Sequence, residues 1–265
     1  MTNPIYLISL LIMLSAPVFA AEPANLNVPQ VASSEHVLAE RMAREWAWHW
    51  VSPNDPEPLK QLAGASVQFE KQLTVLSELS KADTDLSETY SLLSQVWREF
   101  HAFTTASPSM GQARAMLDSS EELAYIATQG SEKIEARQGK GPLPVRLCSD
   151  IAALSQRLAK IYLLRSGGLK LQSLHDDTIT ARTEFNALTH QLETQPNNGG
   201  SINEMIQLMK TQWLFFEQAI DALDRHAEDV QLRSNVVVTS EHIYEVANEL
   251  GQRYSRKRDI ATVIR

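Results

Sequence analysis

Arg41 and Arg157 each stand immediately before an apolar residue, Met42 or Leu158, in segments of helical spacing. A guanidinium offers a planar fork of donors, stays charged at any working pH and is less costly to desolvate than an ammonium. Two such forks across a two-fold axis can surround a planar oxyanion. On the flank of an apolar stripe the same residues can instead form ion pairs, with Glu40, Glu45 or Asp150 as local partners. Other constellations are thinner. Glu45 and His49 lie four apart, and Glu241, His242 and Glu245 lie together, so each group supplies two metal ligands and neither completes a site. No Glu has a His three residues later, which excludes the carboxylate pattern of a ferritin-like di-iron bundle. Trp46 and Trp50 share a helical side with Trp48 turned elsewhere, an arrangement for core and rim packing or for one ring exposed to a partner. The chain has no phosphate-cradling Gly-rich loop and no Gly-x-Ser-x-Gly, and Cys148 has only Arg146 as a neighbour able to activate it. No enzyme activity, metal or cofactor is expected.

The elements that must position these residues follow from composition and period. The chain has 265 residues, 43% of them apolar, with 10 Gly and one Cys. Low glycine disfavours a turn-rich β sandwich or barrel, and the fold class expected is all-α. With 24 Lys+Arg against 32 Asp+Glu, a net charge of −8, and no basic stripe longer than Arg253 to Arg258, no nucleic-acid partner is expected. A single Cys148 closes no internal disulfide. Residues 1–20 read as a secretory signal, because Ile5 to Leu14 is too short for a membrane span and small residues precede a cleavage after Ala20. An uncleaved anchor is the alternative, since the n-region has no Lys or Arg. The mature chain is expected in the periplasm.

Residues 21–33, with two Pro and two Asn, read as a flexible tether. Helical periodicity then predicts a first helix through Val37, Leu38, Met42, Trp46 and Trp50, stopped by Ser52-Pro53, and a second over Leu59 to Leu79. Asp85-x-x-Glu88 reads as a capping box opening a third, and a fourth runs from about Gln112 to Arg137. Gly and Pro cluster at 138–144, a linker. Beyond it the pattern starts again. Leu38 and Leu154, Arg41 and Arg157, Phe69 and Phe185, Leu76 and Leu192, Leu92 and Leu208, Trp97 and Trp213, and Phe100 and Phe216 all share one offset, as do Asp85-x-x-Glu88 and Ser201-x-x-Glu204. Ser120-Glu121 aligns with Ser240-Glu241 after a four-residue insertion. The architecture expected is two tandem antiparallel four-helix bundles, 34–137 and 145–258, with a tail at 259–265.

The stretch Ile151 to Tyr162, Ile-Ala-Ala-Leu-Ser-Gln-Arg-Leu-Ala-Lys-Ile-Tyr, resembles the RMLSQRMAK signature of PilJ-type domains. These occur in type IV pilus methyl-accepting transducers and are similar to the periplasmic sensor of nitrate/nitrite histidine kinases. Leu38 to Arg44 is a fainter copy, so the resemblance covers most of 34–258 as two repeats. It implies a ligand-sensing bundle in which Arg41 and Arg157 hold a small oxyanion such as nitrate or nitrite, with His36, Gln156 and Lys160 as weaker candidates. The relatives' first helix carries another Arg five residues earlier; here those positions are His36 and Ala152. Because the chain has no kinase module or methyl-accepting coiled coil, the resemblance implies a membrane receptor or sensor kinase as partner. The contrasting expectation is a scaffold without a small ligand, docking on a receptor or on another copy.

Overall fold

The computed structural model describes residues 27–196 and 198–263, with side chains as far as Arg256. The expected signal at 1–20 and the start of the tether lie outside the described residues. Within them the chain is all-α, with eight helices and no strand: α1 (Val28–Val51), α2 (Glu57–Ser80), α3 (Thr84–Thr105), α4 (Met110–Gln138), α5 (Leu143–Ser166), α6 (Gln172–Glu193), α7 (Gly200–His226) and α8 (Val230–Val263). No described helix is long and apolar enough to cross a membrane.

Helix ends follow local chemistry, with three corrections to the sequence reading. Residues 28–33, expected in the tether, are the first turns of α1. Pro29 falls where a helix needs no N–H, Asn27 accepts from Gln30 N, and Ala32 is buried against the core. The expected caps at Asp85 and Ser201 are displaced. Asp83 caps α3 by accepting from Leu86 N, which frees Asp85 to bond Lys133 and Arg137 of α4, and α7 starts at Gly199 with no side-chain cap. The expected tail is helical to Val263. The linker between α4 and α5 opens at Gly139, whose φ of +89° suits glycine and ends α4.

Neighbours in space run α1–α2–α3–α4 and back to α1, and likewise α5–α6–α7–α8 and back to α5, the α6–α7 contact being the lightest. The two circuits meet where α1 packs on α5. Those helices are covered from several sides. Seventeen of 24 residues of α5 and twelve of 24 of α1 are buried, against nine of 29 in α4. Any polar residue on α1 or α5 is therefore costly unless partnered.

Contacts repeat between the circuits. The Trp97 ring lies 4.7 Å from Phe69 and 6.0 Å from Phe100; that of Trp213 lies 4.0 Å from Phe185 and 5.7 Å from Phe216. Ser149 Oγ donates to Ser33 O at 3.0 Å across an interval of 116 residues, the offset of the repeat itself. The residues that the repeat equates thus touch each other where α1 meets α5, as they would on a local two-fold axis relating the circuits. Leu92 and Leu208 match in a different way: at 43% and 49% exposure both face outward.

Candidate functional site

Charged side chains cross the α1–α5 seam in a pattern that the axis repeats with altered residues. Arg44 of α1 reaches α8, donating to Glu241 Oε2 at 2.9 Å, Ser240 Oγ at 3.3 Å and Val237 O at 3.4 Å, and it also pairs with Glu45. Its counterpart Lys160 reaches Ser120 Oγ of α4 at 3.2 Å and Glu40 Oε2 of α1 at 2.8 Å. Gln156, the counterpart of Glu40, donates to Ser240 O at 3.0 Å. Burial raises the Glu45 pKa above the ordinary carboxylate value, against the pull of Arg44 and Arg41. Such a seam fixes how the circuits meet more than it stabilises them, because desolvating two charges offsets most of their attraction.

The same axis separates the two candidate arginines. Arg41 lies between α1, α2 and α8, bonded to Glu241 Oε1 at 2.6 Å and Gln61 Oε1 at 3.2 Å, its guanidinium 4.6 Å over the Tyr244 ring. Arg157 lies on the side of α6, with Nη2 3.7 Å from Asp177 Oδ1. Gln61 and Asp177 are equivalents, so the arginines occupy equivalent environments on different sides of the α1–α5 pair. They share no described partner. The common Arg41–Arg157 surface expected from the sequence is not formed, because α1 and α5 turn Arg44, Glu40, Gln156 and Lys160 toward the seam and Arg41 and Arg157 away from it.

Two grooves flank the axis, and Ser33 and Ser149 line both. The larger, about 1230 Å³, lies between α1, α4, α5 and α6 and takes in His36, Glu40 and Arg157. Its walls carry six carboxylates, Glu40, Glu121, Glu132, Glu135, Asp150 and Glu184, against Lys140, Arg146 and Arg157, with Tyr125 and Leu188 supplying apolar surface. His36 Nε2 lies 4.0 Å from Asp150 Oδ1. The pKa of the Asp150 carboxyl, half exposed on this wall, is raised to about 6 by partial desolvation, helped by Glu135 and Glu184 and opposed by Arg146. Partial desolvation also raises that of the surface residue Glu121, and burial lowers that of His36 despite the pull of Glu40. These shifts mark a wall in which each added charge is poorly compensated.

Comparison with models of known families, with curated proteins and with solved structures finds no match. The site is therefore read from its own chemistry. Of the five sequence candidates, His36 and Arg157 line the charged groove and Lys160 anchors its Glu40, whereas Arg41 and Gln156 bond to α8 on the other side. Sequence reasoning missed Glu121, Asp150 and Glu184 as groove residues. For Asp150 and Glu184 the signal was in the repeat, whose other copy has Ser34 and Gln68 in their place, whereas Glu121 is matched by Glu241 and carries no such contrast. Among the described residues no three His, Cys, Asp or Glu side chains come together to hold a metal ion.

Proposed function

We propose that the chain is a periplasmic, non-enzymatic binding module of PilJ-like type, two copies of one four-helix unit, which seats a small ligand in the charged groove and passes the signal to a membrane partner. The observation that carries the reading is Arg157. It stands in the wall of the larger groove, and its 3.7 Å approach to Asp177 is too long for a hydrogen bond, which leaves the fork available to a ligand's anionic group. Six carboxylates in the walls of the same groove disfavour a bare oxyanion such as nitrate and favour a ligand bearing a cationic group as well. Arg41, engaged by Glu241, Gln61 and Tyr244, serves instead to hold α8 on α1.

Calorimetry with nitrate, nitrite and a panel of α-amino acids tests the assignment. The expected result is binding of a zwitterion, weakened about tenfold or more in Arg157→Lys by loss of the bidentate fork, with Arg41→Lys within about twofold of wild type. Equal binding by all three proteins, or no binding of any probe, overturns it. The scaffold reading draws on a different surface: Ile179 of α6 and Leu208, Leu214 and Phe215 of α7 are exposed large apolar side chains. Silent calorimetry together with loss of self-association or receptor binding in Phe215→Ser decides for that reading.

A further inference from the structure

The smaller groove, about 310 Å³ between α1, α2, α5 and α8, is the counterpart of the charged one, and its lining has changed in a consistent direction. Gln30, Ser34, Gln68 and Gln252 stand at the positions that Arg146, Asp150, Glu184 and Glu132 hold in the larger groove. Four ionisable groups thus have four uncharged hydrogen-bonding ones as their counterparts, and among the described residues no charged side chain lines this groove. Its floor is apolar, built from Val37, Leu38, Val145, Cys148 and Ala247.

We infer that this groove is a second binding site, for a small uncharged polyhydroxylated ligand such as a sugar or polyol. An apolar floor beneath a few polar groups is the usual anatomy of a small-molecule site, and the volume lies at the low end of the range. Each amide offers both donors and an acceptor, which matches hydroxyls that act in both senses. Among the described residues no side-chain hydrogen bond to protein is formed by the amides of Gln68, Asn248 and Gln252, the last taking part only through its backbone oxygen, so a ligand meets groups that are free to bond it. A charged ligand finds no counterion there and loses its hydration without return. The site goes beyond the reading of the charged groove and does not depend on it. Ser149 and Ser33, bonded to each other on the axis, form the wall that the two grooves share.

Saturation-transfer NMR on the intact protein with methyl β-glucoside, sorbitol and trehalose tests the inference, with glucuronate and glucosamine as charged controls. At least one uncharged probe is expected to bind at millimolar concentration, and both charged probes to bind more weakly here. The double variant Gln68→Glu, Gln252→Glu writes the carboxylates of Glu184 and Glu132 into the groove at exposed positions, and far-UV circular dichroism checks that it stays folded. It is expected to bind the uncharged probe about tenfold more weakly, while Arg157→Lys leaves that binding unchanged. Absence of binding by all three uncharged probes overturns the site, and so does equal binding by the folded double variant. Loss in Arg157→Lys instead would assign the probe to the larger groove.

Discussion

At three equivalent places in their cores the two helical circuits carry opposite chemistry. The first has Glu35, Tyr90 and Gly130; the second has Ile151, Ile206 and Leu250, and all six are buried. Glycine at 130 is what admits the tyrosine, since a Cβ there would lie 3.0 Å from Tyr90 Oη. Among the described residues neither oxygen of Glu35 has a hydrogen-bond partner, nor does the Tyr90 hydroxyl. Burial holds the Glu35 carboxyl well above its ordinary value and raises the Tyr90 phenol, the latter helped by the nearby Glu35. The aromatic clusters around Trp97 and Trp213, by contrast, keep the same ring types at matching positions, although Trp97 stacks on Phe100 where Trp213 meets Phe216 edge-on. The lesson is that helix period and large aromatic anchors specify the frame, and the frame then tolerates a polar trio or an aliphatic one at the same depth, at different cost.

The largest expected effect tests what the halves share. Trp97→Ala and Trp213→Ala should each destabilise by about 3–5 kcal/mol in denaturant unfolding, because each removes a buried indole packed against a phenylalanine. A difference above about 2 kcal/mol between the two variants would break the equivalence of the cores.

A smaller effect sharpens the contrast. Glu35→Ile, which copies Ile151, should stabilise by about 1–3 kcal/mol by removing an unpartnered polar group from the core. It should also change the pH profile. The folded pKa of Glu35 lies above the unfolded value, so the folded chain binds more protons between the two. The Glu35 contribution is fully present below pH about 4.5 and is lost as pH rises through the folded pKa. Stability measured against pH should therefore flatten over that range in Glu35→Ile and in Glu35→Gln. Persistence of the wild-type slope in both would show that Glu35 is solvated.

The smallest effect lies at the helix starts. Asp83→Ala should cost about 0.5–2 kcal/mol through loss of the cap on Leu86 N, whereas Gly199→Asp at the equivalent place should change stability by only a few tenths. Thermal unfolding of the two variants measures the asymmetry. A gain above about 1 kcal/mol from Gly199→Asp would show that the bare start of α7 is a real weakness.

Much of the frame was legible because it rests on local rules. The stop at Ser52-Pro53, a break within 138–144 (the connection itself is 139–142) and the matching of Trp97 with Trp213 follow from proline geometry, glycine freedom and helical period, each a property of neighbouring residues. Where several rules competed, reading the chain alone misplaced the outcome. Asp83 outcompetes Asp85 as a cap because Lys133 and Arg137, far along the chain, draw Asp85 away. Pro29 reads as tether by composition, yet it opens a helix once Ala32 has a core to enter.

The site residues divide along the same line. Residue type and offset alone established that Arg41 and Arg157 are equivalents, because a repeat is a property of the string. Only the tertiary structure decided that they face different sides, that Arg44 and Lys160 cross the seam, and that one groove is charged while its counterpart is neutral. The physical reason is that the period of a helix says which residues share a face, whereas the position of the two-fold axis says which faces meet. That axis is placed by the packing of α1 on α5 as a whole, summed over many weak contacts, and no single residue in the sequence encodes it.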